Sequence, residues 1–182
     1  MWERTITMCS AGKVFGVSGW KIGWTIGPER FINAMQLIQQ NTIYAVCTPL
    51  QEALAQTIEE IVSTLDTKDC FFHKLSLEIA EKRERFANAL ESVGMCPVIP
   101  QGGFFMLGNI SNVEGPKREK DDKRPYDVVF NEWMMINKGI AGAPLSAFFY
   151  DEKSSFSDDY LRFCFVKDDS TFEKALECLT KW

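Results

Sequence analysis

Histidine is almost missing from this chain: His73 stands alone among 182 residues. A zinc centre draws on clustered His and Cys ligands. The six cysteines (Cys9, Cys47, Cys70, Cys96, Cys164, Cys178) are scattered, with no C-x-x-C pair and no metal-ligand spacing. Both facts argue against a metal site, and reduced thiols in a cytosolic or matrix-like compartment are the simplest expectation. No uninterrupted apolar run approaches the roughly 20 residues of a membrane-spanning helix. Met1-Trp2-Glu3-Arg4 opens on charge and lacks the apolar core of a secretory leader. Positive charge is not in excess either, since 20 Lys and Arg face 25 Asp and Glu. That balance gives no reason to expect nucleic acid or a membrane surface as a partner. No internal repeat is present. What is left, 46% hydrophobic and 25% charged, is the composition of a globular chain of one domain or two small ones.

Against these absences stands one stretch dense in glycine and lysine. It runs Ser10-Ala11-Gly12-Lys13-Val14-Phe15-Gly16-Val17-Ser18-Gly19-Trp20-Lys21-Ile22-Gly23-Trp24. Glycines so close together let the backbone turn sharply and approach a ligand. A lysine with apolar neighbours, as Lys13 is beside Val14 and Phe15, is expected to be desolvated, which favours the neutral amine. A neutral amine forms a Schiff base with an aldehyde. Lys21 supplies a second cation suited to an anion such as a phosphate. Amine, turn and anion holder together suit pyridoxal 5'-phosphate, which carries an aldehyde and a phosphate. The rival motif for Gly12-Lys13, a P-loop, fails because Val14 stands where Ser or Thr is needed and the leading glycine is missing.

Along the chain, residues 3–8 alternate polar and apolar and predict a strand, and 20–27 predict the next, stopped by Gly27-Pro28. A helix with Phe31, Met35 and Ile38 on one face follows. Thr48-Pro49 opens another, with Leu50, Leu54, Ile58, Ile61 and Leu65 as its stripe. The clearest helix spans 70–93, burying Leu75, Ile79, Phe86, Leu90 and Val93, with Glu78–Lys82 and Glu81–Arg85 pairs on its wet side. Gly94 ends it. Short strands near 95–99 and 103–109 come next, then a polar stretch, 111–124, read as a solvated loop. A helix over 126–138, a strand at 140–144 and a strand carrying Leu161, Phe163 and Phe165 complete the order. The last helix is expected to open on the capping box Ser170-x-x-Glu173 and to bury Phe172, Ala175, Leu176 and Leu179. Arg162 faces away from its apolar neighbours and must find an anion, because a buried unpaired charge costs several kcal/mol. Asp158, Asp159, Asp151 and Glu152 are near enough in sequence to supply one.

The run from Ser10 to Trp24 closely resembles the lysine signature of class I/II aminotransferases. The form SAGKxF…GWKxGW is similar in particular to the kynurenine–oxoglutarate type, also known as cysteine-S-conjugate β-lyases. The likeness continues in QQNTIYAVCTPLQEALAQ (39–56), QGGFF (101–105), PYD…F…WM (125–134) and LRFCFVKDDSTF (161–172). It covers nearly the whole chain, while the chain spans only about the C-terminal half of such an enzyme. The resemblance implies an α/β fold, a partial type I pyridoxal-phosphate transferase. Residues 1–47 would close the large domain, 48–69 form a connecting helix, and 70–182 make the small C-terminal domain.

The resemblance also implies roles. Lys13 would hold the cofactor as a Schiff base and move the substrate proton; Lys21, where many relatives have Arg, and Ser10 would hold the phosphate. Arg162 would grip the substrate α-carboxylate, and Tyr44, Phe104 and Phe105 would line the substrate side. Trp20 and Trp24 are read as packing around the loop, and His73 as a surface residue. The implied activity is transfer of an amino group from an amino acid such as kynurenine or glutamine to a 2-oxo acid. Elimination from a cysteine conjugate stays open beside it. A homodimer in the cytoplasm, or in the mitochondrion, is the implied setting. The family's other cofactor contacts, among them an aspartate on the ring nitrogen, precede the lysine and are not in these 182 residues. Weak or no turnover from this stretch alone is therefore expected, and a truncated, non-catalytic polypeptide is the competing expectation.

Overall fold

The computed structural model describes residues 1–117, 121–150 and 157–182, which fall into two compact units, Met1–Phe71 and Phe72–Trp182. In the first, a 3-10 turn (Trp2–Arg4) leads into strand β1 (Thr7–Ser10), the short helix α1 (Ala11–Val14), a second 3-10 turn (Ser18–Trp20) and strand β2 (Gly23–Ile26). The two strands run antiparallel, from Thr7 opposite Ile26 to Ser10 opposite Gly23. Both differ from the sequence expectation. Residues 2–4 and 18–20 curl into turns, and Lys21 adopts left-handed backbone with φ +56, a conformation that breaks a strand. Lys21 therefore sits on a turn before β2, not within it.

Helices α2 (Glu29–Thr42) and α3 (Thr48–Thr64) follow. Ala11, Ile22 and Leu54 form a small core, with Phe15, Trp20, Trp24, Val46 and Leu50 packed against it. Helix α3 thus supports the lysine loop from below, while Ile58 and Leu65 of its expected stripe stay exposed. The stripe expected on α2 is not covered: no residue of that helix is buried, and Ile38 stands in solvent.

The second unit takes up nearly all of helix α4 (Phe71–Ser92), then β3 (Cys96–Val98), β4 (Phe105–Asn109), α5 (Tyr126–Lys138), β5 (Ala143–Pro144), β6 (Tyr160–Cys164) and α6 (Asp169–Thr180). Its sheet is antiparallel in the order β3-β4-β6-β5. Alternation along β6 sends Leu161 and Phe163 into a core shared with Met106, Phe86, Leu90, Phe130, Met134, Phe172 and Leu179. Arg162, between them, points to the opposite face.

Four local expectations are corrected here. Lys82 pairs with Glu78 as the spacing suggests, at 2.8 Å, but it is buried, not solvated. Its ammonium also donates to Asp169 at 2.8 Å and to the Lys167 carbonyl at 3.0 Å, fastening α4 to the start of α6. Arg85 reaches Glu173 at 2.7 Å in place of Glu81. The stretch 111–124, of which 118–120 lie outside the described residues, is not simply solvated. Val113 is buried, and a Cβ on Gly115 would come within 2.5 Å of the Phe130 ring.

The fourth correction concerns the cap of α6. Asp168, not Ser170, is the capping residue, and its carboxylate accepts from Thr171 N–H at 3.0 Å and Ser170 Oγ–H at 2.7 Å. Hydrogen bonding by the side chains of Thr171 and then Ser170, with the Thr171 N–H behind them, holds the Asp168 carboxyl far below its ordinary value of 3.8. A depressed carboxylate contributes stability that is present above its unfolded value and lost as pH falls through the folded one. Asp168→Ala is expected to lower the melting temperature at pH 7, with the gap to wild type closing progressively below about pH 4. Thermal unfolding across pH 2–7 checks this; a gap that persists unchanged in acid would exclude the carboxylate as its source.

Candidate active site

The first unit gathers its functional side chains around the turn between β1 and β2. Ala11 N–H donates to the Ile22 carbonyl at 3.1 Å, which pins the two ends of the glycine-rich loop together. Two glycines are required by close approach. A Cβ on Gly12 would lie 2.9 Å from Ser18 Cα, and one on Gly23 would lie 2.5 Å from the Cys9 carbonyl oxygen. Ser18 Oγ–H donates to the Gly12 carbonyl at 3.2 Å and holds the loop from the other side.

The result is a pocket of about 330 Å³ lined by Ser10, Gly12, Lys13, Ser18, Lys21, Ile22 and Gly23. The structure therefore brings Ser10, Lys13 and Lys21 onto one concavity. Ser10 occupies the N-cap of α1, yet its hydroxyl makes no capping hydrogen bond. Ser18 joins the group; the glycine-serine spacing around it was its only signal in the sequence. One expectation fails. Lys13 is exposed in this chain: Phe15 packs against the small core, while the lysine points outward from the short helix. Tyr44 does not line the pocket; it is 85% exposed, on left-handed backbone with φ +73.

In the second unit Arg162 occupies the middle of β6, opposite Leu107 on β4 and Ala143 on β5. Its guanidinium carbon lies 4.2 Å from the Phe105 ring centre and 4.3 Å from that of Phe148. Two aromatic faces hold the planar group between them, an arrangement lysine could not adopt. The Nε–H is buried with no hydrogen-bond partner. Among the described residues no carboxylate pairs with Arg162. Asp158 accepts instead from Tyr126 N–H at 3.5 Å, and the Asp159 carbonyl accepts from Ile110 N–H at 2.8 Å. Asp151 and Glu152 lie outside the described residues. A charged, flat, partly unsatisfied fork is an acceptor-seeking group, and a carboxylate matches its geometry. Phe148 went unnoticed in the sequence, although the aromatic run 148–150 was a usable signal. Phe105 is half-exposed and serves the arginine, while Phe104 is partly buried, with its carbonyl accepting from Phe165 N–H at 3.3 Å.

Among the described residues, no group of three or more His, Cys, Asp and Glu side chains is placed to hold a metal ion. No described helix is long and apolar enough to cross a membrane. All six cysteines are free.

Residues 2–179 match the aminotransferase class I and II family, and the chain belongs to it. Enzymes of that family use pyridoxal phosphate. More narrowly, the chain is 44% identical over 182 residues to kynurenine–oxoglutarate transaminase 3 of Homo sapiens and 45% identical over 183 residues to that of Bos taurus. All of this chain is covered in both cases, but only 40% of each relative, so it spans about two-fifths of their length. Among solved structures, Bna3p of Saccharomyces cerevisiae superposes with a TM-score of 0.87 at 27% identity, over 97% of this chain and 42% of that one. N-succinyldiaminopimelate aminotransferase of Mycobacterium tuberculosis does so at 0.80 and 28%, over 100% and 42%. The fold is accordingly part of the α/β architecture of the pyridoxal-phosphate aminotransferases.

Proposed function

We propose that this chain forms the C-terminal part of a pyridoxal-phosphate aminotransferase of the kynurenine–oxoglutarate type. The observation that carries the reading is the convergence of Ser10, Lys13 and Lys21 on one pocket. The residues fit the cofactor on the chemistry of their donors. An exposed amine suits its aldehyde, a second ammonium and two hydroxyls suit its phosphate, and Gly12 and Gly23 let the loop close tightly on its own backbone so that these groups share one pocket. When bound, pyridoxal phosphate supplies the electron sink that stabilises negative charge at the substrate α-carbon.

This chain's residues would supply part of the remaining work. Lys13 Nζ would hold the cofactor through its aldehyde carbon, and the same amine would take the proton from the substrate α-carbon as a base and carry it as an ammonium acid. Lys21 neutralises phosphate charge as a point charge, with Ser10 donating its unused hydroxyl. Arg162 orients the substrate by a bidentate grip on its α-carboxylate. Tyr44, exposed here, faces substrate or a second copy in the assembled homodimer. The amino donor is an amino acid such as kynurenine or glutamine and the acceptor a 2-oxo acid; the names of the two relatives carry kynurenine and oxoglutarate. The same residues suit elimination from a cysteine S-conjugate.

The deciding experiment is reduction of the cofactor-loaded protein with borohydride, followed by peptide mapping, alongside an assay of amino transfer from kynurenine to 2-oxoglutarate. In the full-length enzyme that contains this chain, the label is expected on Lys13 and transfer is expected to occur; these 182 residues alone are expected to give weak or no transfer. A label on another lysine would overturn the assignment.

A further inference from the structure

Asp127 is fully buried on α5, and no cation meets it among the described residues. Burying a carboxylate is costly unless hydrogen bonds replace its water. Three do so. Ser146 N–H donates at 2.7 Å, Ser146 Oγ–H at 2.9 Å and Val128 N–H at 2.9 Å. One turn further along α5, Asn131 Oδ1 accepts from Gly142 N–H at 2.9 Å. Two side chains four apart on one helix thus hold two backbone amides four apart on the segment that follows.

What that segment carries gives the clasp its meaning. Ala143 pairs with Arg162 in the sheet, and the 3-10 turn Leu145–Phe148 begins one residue before Ser146. The turn ends on Phe148, whose ring covers one face of the Arg162 guanidinium at 4.3 Å. Charge-assisted hydrogen bonds are shorter and stronger than neutral ones, so a carboxylate fixes Ser146 more firmly than a neutral side chain could. We propose that Asp127 is a positioning residue for the carboxylate grip: by clasping Ser146 it sets the Phe148 ring, and through it the plane in which Arg162 presents its N–H groups. The proposal rests on the reading of Arg162 as the α-carboxylate ligand. Asp127 itself touches neither substrate nor cofactor.

The test uses the cofactor-loaded full-length enzyme that contains this chain and two amines with the same side chain, one an amino acid and one lacking the carboxylate. Asp127→Ala and Asp127→Asn are made with Ser146→Ala, and Arg162→Lys serves as the reference. The Asp127 variants are expected to raise the KM for the amino acid about ten- to a hundred-fold, with kcat changed less than about three-fold. Ser146→Ala, which keeps the backbone amide, should give a smaller shift in the same direction. Binding of the carboxylate-free amine, read from the change in the cofactor's absorbance, should not move. Equal weakening of both amines would mark Asp127 as merely structural and overturn the proposal. So would an unchanged KM in the Asp127 variants while Arg162→Lys raises it. If Arg162→Lys leaves the amino-acid KM unchanged, the reading of Arg162 itself falls, and the clasp's role with it. Should Asp127→Ala fail to fold, Asp127→Asn and Ser146→Ala decide the matter by the same comparison.

Discussion

Lys13→Ala is expected to cost at least about 10³–10⁴-fold in transamination rate, because one side chain carries both the covalent anchor and the proton transfer. Lys13 is exposed, and its substitution disturbs no packed core, so unfolding stability should change by no more than about 0.5 kcal/mol. That separation makes the result readable: chemistry lost, fold kept. Lys13→Arg should not restore the rate, since a guanidinium stays protonated and cannot act as the base. Single-turnover measurements with the cofactor-loaded full-length enzyme, with thermal unfolding as the control, check both halves. Full turnover in Lys13→Ala would remove the basis of the proposed function.

The second large effect falls on Arg162. Two charge-assisted hydrogen bonds to a carboxylate, held in a desolvated setting, are worth about 3–4 kcal/mol. Arg162→Ala should accordingly lower kcat/KM about 10²–10³-fold for the amino acid and for the oxo acid alike. Arg162→Lys should recover little, because the stack on Phe105 and Phe148, at 4.2 and 4.3 Å, suits a flat group and the ammonium is a point charge. Loss of that stack also removes packing from the sheet face, so a modest fall in melting temperature should accompany the change in kcat/KM. An effect on stability with kcat/KM intact would show the arginine to be structural only.

How far the sequence reached depended on the range of the interaction. Helix 126–138 matches α5 at both ends, and Thr48-Pro49 opens α3 as read. The alternation of Leu161, Phe163 and Phe165 with Arg162 told correctly which residues enter the core. These are signals carried by neighbouring residues and by the periods of helix and strand. The failures share a different character. Lys13 was expected in apolar surroundings because Val14 and Phe15 follow it, but adjacent residues on a helix point in different directions. The α6 cap lies two residues before the capping box: Asp168 accepts from Thr171 N–H, and Ser170 spends its hydroxyl on the Asp168 carboxylate. Lys82 was placed on the wet side because its partner Asp169 lies 87 positions away and nothing local announces it.

The candidate site shows the same division. Ser10, Lys13 and Lys21 fall within twelve residues, so one loop with two enforced glycines is enough to bring them together, and a linear pattern can name them. Phe148 and Asp127 acquire meaning only through Arg162 and Ser146, residues brought near by strand pairing and helix packing.

The amino-acid sequence alone determined the family, the kinds of element and their order, and the loop that would take the cofactor, because propensity, periodicity and a short motif are properties of consecutive residues. The tertiary structure alone decided which apolar stripes are covered, that two phenylalanine rings clamp Arg162, and that a buried carboxylate holds one of those rings in place. Such contacts follow from chain closure over many residues, where register and packing choose among partners that the local pattern leaves equivalent.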